Sequence, residues 1–163
     1  MPATMIDSAI FGSLWSQHTI KALFDDVART RAWLEIVAVL AEVQAEFTLI
    51  PAPAAHAIAL RCRELAIDAA FLEEMRIGRE ASGHSMQGMI RAVQSRLTPA
   101  DAQWVYAGAT VQDVTDTWMM LVLRTARQQI ERDLERVDQA MAVLALRYRD
   151  TPMAGRTHGQ QGL

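Results

Sequence analysis

The chain has 163 residues, 51% of them hydrophobic, and a formal net charge of −3 at pH 7. This length fits one domain, or one domain and part of a second, and the charge gives no attraction for the phosphate backbone of a nucleic acid. The single cysteine excludes an internal disulfide and fits a reducing compartment. The flanking Arg61 and Arg63 favour a thiolate at Cys62, but a buried, inert thiol is the simpler expectation. The sequence contains no signal peptide and no apolar run of membrane-spanning length, so we expect a cytoplasmic protein without a membrane partner.

Apolar residues at helical spacing predict a series of helices in the first hundred residues. The weakly patterned segment before them ends in large side chains that are expected to pack onto the body: Phe11, Leu14 and Trp15. The predicted helices span residues 25–51, 54–65, 69–79 and 86–97. Asp25 and Asp68 are placed to cap two of them, and Thr98 with Pro99 starts a further turn. No stretch alternates long enough to predict a sheet, so the fold class is all-α.

One very long helix is predicted in the second part of the chain. Neither glycine nor proline interrupts residues 114–149, and from Leu123 onwards the apolar residues recur at steps of three and four. Such a helix would extend for about 54 Å, too far to bury its apolar stripe within a small domain. The stripe comprises Ile130, Leu134, Val137, Met141 and Leu144. We therefore expect long partner helices, and a boundary between a helical domain of residues 1–107 and a bundle domain of residues 108–163.

Polar residues flank both ends of this helix. At its start, Asp113 and Asp116 resemble a capping box in which the Asp113 carboxylate accepts a first-turn N–H, which would place residues 110–112 at a helix N-terminus suited to an anion. At its end, residues 155–160 hold a cation, a hydroxyl and an imidazole between two glycines, and an amide follows the second glycine. Ordinary caps and a surface loop explain each end alone, whereas the combination favours a site.

Several common site patterns do not occur in the sequence. Gly83 and Gly88 are spaced like the glycines of a phosphate-binding loop, but Met89 and Ile90 stand where that loop requires lysine and a hydroxyl residue. The four histidines lack metal-ligand spacing. We therefore expect neither a metal nor another cofactor.

Two motifs resemble signature regions of a known enzyme superfamily. Residues 108–117, GATVQDVTDT, resemble the first signature region of the fumarase/aspartase superfamily, in the form of adenylosuccinate lyase and 3-carboxy-cis,cis-muconate cycloisomerase. Residues 155–160, GRTHGQ, resemble the second. Residues 25–51 are similar to the first long helix of the cycloisomerase-like branch, and residues 82–85, SGHS, lie where adenylosuccinate lyases carry another active-site histidine. The resemblance covers nearly the whole chain.

The resemblance implies a small N-terminal helical domain and a central bundle of very long helices, which four identical subunits pair into a homotetramer. It implies either β-elimination from a succinyl-type substrate, as in adenylosuccinate lyase, or cycloisomerisation of 3-carboxy-cis,cis-muconate. The substrate would be a small dicarboxylate or tricarboxylate. In this chemistry a base removes a proton next to a carboxylate, the carbanion is held as its aci-carboxylate, and an acid assists the leaving group.

The resemblance also implies roles for individual residues. His158 is the expected acid, or the group that orients the leaving atom, with Thr157 and the weaker match His84 as further catalytic candidates. The expected substrate-binding residues are Thr110, Gln112, Asp113, Arg156 and Gln160. Val111 stands where the family often has a serine, which removes one hydroxyl donor from the expected carboxylate site.

The third signature region of the superfamily, a mobile Gly-Ser-Ser-x-Met-Pro loop that carries the expected base, does not occur in these 163 residues. We therefore expect the N-terminal portion of a longer enzyme, inactive by itself because the family's site is built where three signature regions from different subunits meet. The alternative is a noncatalytic helical oligomerisation module derived from the same fold. The Thr157-His158 pair favours the enzyme, since a scaffold does not require it.

Overall fold

A computed structural model describes residues 4–152 and 155–162 of the chain. Two short 3-10 helices, Met5–Asp7 and Gly12–Leu14, come first. The helices are α1 (His18–Ala22), α2 (Asp26–Glu46), α3 (Ala52–Glu64), α4 (Ala69–Ser82), α5 (Gln87–Gln94), α6 (Pro99–Ala102) and α7 (Val111–Arg147). A hairpin of two three-residue strands, β1 (Gly155–Thr157) and β2 (Gln160–Gly162), follows in a segment expected to be a loop. The all-α prediction is confirmed, and so is the single long helix.

The chain divides into two compact units, Met1–Leu123 and Arg124–Leu163. The hydrophobic core belongs to the first unit, where the most deeply buried side chains include Leu34 of α2, Ile58 of α3, Met89 of α5 and Val114 of α7. The boundary predicted after residue 107 stays a prediction.

Side-chain caps begin the helices where the sequence predicts them. The Asp25 carboxylate accepts a hydrogen bond from the Ala28 N–H at 2.7 Å, and the Asp68 carboxylate accepts one from the Phe71 N–H at 2.9 Å. These bonds satisfy first-turn N–H groups that have no partner within their own helix.

The expectation that the N-terminal segment packs onto the body through its large side chains is wrong. Leu14 is 75% exposed, and Phe11 and Trp15 are also exposed. The segment instead folds locally, and Gly12 is the residue that it buries: a Cβ at Gly12 would lie 2.7 Å from the carbonyl oxygen of Ile6. The large side chains are therefore left on the outside.

Cys62 is buried in the core, as the simpler expectation stated. Burial, followed by the charge of Glu35, raises the pKa of its thiol to about 12, and these effects outweigh the opposing charges of Arg63 and Arg31. The thiolate that the flanking arginines would favour does not form, because a charged sulfur would lose its hydration in the core.

Helices α4 and α5 approach each other at two glycines. A Cβ on Gly78 would lie 2.4 Å from the Cα of Gly88, and a Cβ on Gly88 would lie 2.4 Å from the carbonyl oxygen of Met75. Such a distance leaves no room for any side chain. The crossing therefore fixes the turn between the two helices, which carries His84.

Candidate active site

The first signature segment leads into α7, which begins three residues earlier than predicted. Thr110 precedes the first helical residue, Val111, so Asp113 is the third residue of the helix and not its cap. The Asp113 carboxylate reaches back and accepts a hydrogen bond from the Thr110 N–H at 2.7 Å. This is the reciprocal half of a capping box, with Thr110 at the cap position. The prediction of Asp113 as the cap is wrong because Val111 and Gln112 are already part of the helix, so the cap position falls on Thr110.

The remaining side chains of this segment are also engaged locally. Gln112 donates to the Asp116 carboxylate at 3.0 Å across one turn, and the Thr117 hydroxyl donates to the Asp113 carbonyl oxygen at 2.6 Å. Thr110, Gln112 and Asp113 are all exposed. The segment therefore presents a preformed, accessible polar turn, in which the Asp113 carboxylate is already bonded to the backbone N–H of Thr110.

Two residues beside the backbone that leads into this turn, Gln44 and Tyr106, were not singled out from the sequence as site residues. Gln44 of α2 donates to the Ala107 carbonyl oxygen at 2.7 Å, which ties the turn to the core. The Tyr106 hydroxyl is buried and has no hydrogen-bond partner among the described residues. Burial, followed by the negative charge of Asp113, raises the pKa of Tyr106. An aromatic residue directly ahead of the Gly108 turn was the only signal available in the sequence.

His84 lies in the turn that follows α4. Gly83 ends that helix in the left-handed conformation with φ of +68°, and the half-buried His84 comes next. Its Nδ1 accepts a hydrogen bond from the Met86 N–H at 3.3 Å, so in the neutral ring the proton is on Nε2. Among the described residues, no hydrogen bond joins His84 to Thr110, Gln112 or Asp113.

The second signature segment forms the C-terminal hairpin. Thr157 pairs with Gln160 and Arg156 with Gln161 in antiparallel register, so His158 and Gly159 make a two-residue turn. Both have positive φ, +47° for His158 and +81° for Gly159, as the type I′ turn of tight hairpins requires. Histidine tolerates this region better than most residues. The turn leaves His158 exposed at the tip.

The structure assigns the candidates to both units. His84, Thr110, Gln112 and Asp113 belong to the first unit, and Arg156, His158 and Gln160 belong to the second, where Arg156 and Gln160 are exposed. Thr157 is described by its backbone alone, and its side chain lies outside the described part. Over residues 4–152 and 155–162, no group of three or more histidine, cysteine or acidic side chains could hold a metal ion. Within the same residues no helix is long and apolar enough to cross a membrane.

A family model described as Lyase matches residues 10–163. The chain is 35% identical, over all of its length, to the N-acetyl-S-(2-succino)cysteine lyase of Enterococcus italicus, of which it covers 35%. It is 32% identical, over 91% of its length, to the 3-carboxy-cis,cis-muconate cycloisomerase of Pseudomonas aeruginosa, of which it covers 32%. Among solved structures, the fumarate lyase from Mesorhizobium sp. BNC1 superposes on 91% of the chain with a TM-score of 0.81 and 32% identity, and 34% of that protein is covered. The chain thus spans about a third of the length of these relatives.

Proposed function

The chain belongs to the fumarase/aspartase superfamily of lyases, and from that premise we propose that it forms part of an enzyme that eliminates a leaving group from a small substituted succinate. The observation that carries this proposal is the pair of signature segments, each in a defined conformation. The first caps α7 through Thr110 and Asp113, and the second presents His158 at the tip of a tight hairpin. Cycloisomerisation of a carboxymuconate is the second candidate, because a cycloisomerase is among the relatives.

The proposed reaction needs stabilisation of negative charge and a proton donor. When a base removes a proton next to a carboxylate, charge moves onto the carboxylate oxygens, and fixed donors lower the barrier by holding it there. The first turn of α7 offers backbone N–H groups and the positive end of the helix dipole, with the side chains of Thr110 and Gln112 beside them. Asp113 orders this turn through its bond to Thr110 and is proposed to bind substrate only indirectly.

His158 is proposed to donate the proton that the leaving group requires. An imidazole can both donate and accept a proton, and an exposed side chain at a hairpin tip is accessible to a substrate bound against other parts of the enzyme. Arg156 and Gln160, on the strands beside the tip, are proposed to contact a substrate carboxylate, and Thr157 to act with His158. His84 is the remaining catalytic candidate, with its Nε2–H free to donate.

The same proposal includes a cytoplasmic homotetramer built through the second part of α7. Every residue of the predicted stripe, from Ile130 to Leu144, is exposed in the single chain. Burying five such side chains contributes several kcal/mol, at about 25 cal/mol per Å² of apolar surface. We further propose that the 163-residue chain is inactive alone, because losing one member of an acid–base pair costs about 10²–10⁴ in rate.

A fusion protein tests the proposal. Residues 1–163 are joined to the part of the Enterococcus italicus lyase that lies beyond its region of similarity to this chain. We expect the fusion protein to act on N-acetyl-S-(2-succino)cysteine or on 3-carboxy-cis,cis-muconate, and the 163-residue chain to act on neither. Absorbance of the unsaturated carboxylate measures turnover. A folded, tetrameric fusion protein without activity would support the alternative, a noncatalytic oligomerisation module.

A further inference from the structure

A cavity of about 470 Å³ lies in the first unit beside α2 and α4. Part of its lining is apolar, from Trp33, Leu72 and Met75. Three arginines and two carboxylates complete most of the rest: Arg29, Arg76, Arg79, Asp26 and Glu73. Its volume is in the usual range for small-molecule sites, and its lining has their usual mixture of apolar surface and a few charged groups. None of the substrate-binding candidates lines it.

Two of the lining residues are buried and hold donors that lack a good acceptor. Trp33 is 8% exposed, and its indole N–H has no hydrogen-bond partner within the described part of the chain. Thr30 is 3% exposed, and its hydroxyl donates to the Met75 sulfur at 3.8 Å, a weak acceptor. A buried donor without an acceptor destabilises the protein, so a bound acceptor is favoured; the indole nitrogen has no exposed surface, and a ligand oxygen reaches it only when the lining side chains move on binding.

The positive charge of the cavity is concentrated on one arginine. Arg29 pairs with Asp26 at 2.6 Å, and Arg76 is shared between Glu73 at 2.7 Å and Glu80 at 2.6 Å. Arg79, by contrast, forms no ion pair among the residues that the structure describes. A ligand that carries one negative charge would balance it.

We propose that this cavity binds a small monocarboxylic acid with a compact apolar body, such as an aromatic carboxylate. Its carboxylate pairs with Arg79, its oxygens accept from the unpaired indole N–H of Trp33 and from the Thr30 hydroxyl in place of the Met75 sulfur, and its body packs on Leu72 and Met75. The proposal requires none of the residues of either signature segment, although Ser85, which follows the catalytic candidate His84, also lines the cavity. A dicarboxylate such as succinate is disfavoured because Arg29 and Arg76 are already paired with carboxylates, so its second charge would lie near Asp26 and Glu73 without a cation of its own.

Nuclear magnetic resonance of the ¹⁵N-labelled 163-residue chain, titrated with benzoate, tests the proposal. The indole N–H signal of Trp33, assigned with Trp33→Phe, is expected to shift and to saturate. The uncharged isostere benzamide and the dicarboxylate succinate are expected to bind at least about tenfold more weakly, as loss of a charge-assisted hydrogen bond or an added buried charge implies. No saturable shift, or equal binding of benzamide or succinate, overturns the proposal.

A matched pair of variants separates a specific site from general attraction by a cation. Arg79→Gln is expected to weaken benzoate binding at least about tenfold. Arg91→Gln removes an exposed arginine of α5 that does not line the cavity, and binding should stay as in the unchanged chain. Thr30→Val is expected to weaken binding with the fold retained. Equal affinity in the two arginine variants contradicts the assignment to this cavity.

Discussion

The Thr110 N–H donates to the Asp113 carboxylate at 2.7 Å, and this bond defines where the longest helix of the protein begins. It joins two substrate-binding candidates of the same signature segment. We expect Asp113→Ala to destabilise the chain by about 1 kcal/mol, the usual value of a side-chain cap. Asp116→Ala, which removes only the hydrogen-bond partner of the exposed Gln112, is the control and should lower the free energy of unfolding by less. Urea unfolding measures both, and equal costs would contradict a capping role for Asp113.

The titration of Tyr106 should report the charge of the same carboxylate. Burial contributes most to the raised pKa of Tyr106, and the charge of Asp113 adds to it. Asp113→Asn should therefore lower that pKa towards the ordinary tyrosine value without reaching it, since burial remains. Tyrosinate absorbance measured in a Tyr148→Phe background isolates the signal of Tyr106. An unchanged pKa would show that the two groups do not interact.

The glycine crossing of α4 and α5 gives a prediction about stability. Gly88→Ala places a Cβ 2.4 Å from backbone, so the helices must separate, and we expect a cost of more than about 2 kcal/mol. Gly83→Ala is the control: its Cβ meets nothing within 4 Å, and only the φ of +68° is unfavourable, at about 1 kcal/mol. Urea midpoints compare the two variants. A smaller cost at Gly88 than at Gly83 would contradict the close approach.

The sequence predicts the elements that depend on local patterns and misses those that depend on tertiary contacts. The uninterrupted periodicity after Leu123 predicts the long helix, and Asp25 and Asp68 predict their caps, because each signal lies within a few residues. The contact between Gly78 and Gly88 could not be predicted, since neither glycine carries information about its partner. The N-terminal aromatic side chains were expected to pack inward because hydrophobicity alone does not reveal local folding around Gly12.

The sequence predicts which residues form the candidate site better than it predicts the backbone conformation of those residues. The resemblance names the two signature segments, but the capping-box spacing of Asp113 and Asp116 places Asp113 at the wrong helical position by three residues. The hairpin was missed because its strands are three residues long, too short for an alternating pattern. In retrospect, His158-Gly159 is the signal, since both residues tolerate the positive φ that a type I′ turn needs.

The exposed stripe on the second part of α7 predicts association. Replacing Leu134 and Met141 with glutamate should dissociate or unfold the assembly, because charges placed at a buried helix seam lose their hydration. The control carries the same two added charges away from the stripe, as Gln128→Glu with Gln139→Glu, and should keep its mass. Light scattering gives the mass and circular dichroism the helix content. An unchanged mass with a stable fold in the stripe variant would exclude this interface.

The most direct test of the proposed lyase function is the activity of His158→Asn in the fusion protein. Asparagine tolerates the left-handed conformation at the hairpin tip, so the turn is kept while the titratable imidazole is lost. His56→Asn, at an exposed position of α3, is the matched control. We expect a loss of about 10²–10⁴ in kcat for His158→Asn, with the tetramer intact, and full activity for His56→Asn. Equal kcat values for the two variants would contradict the proposal.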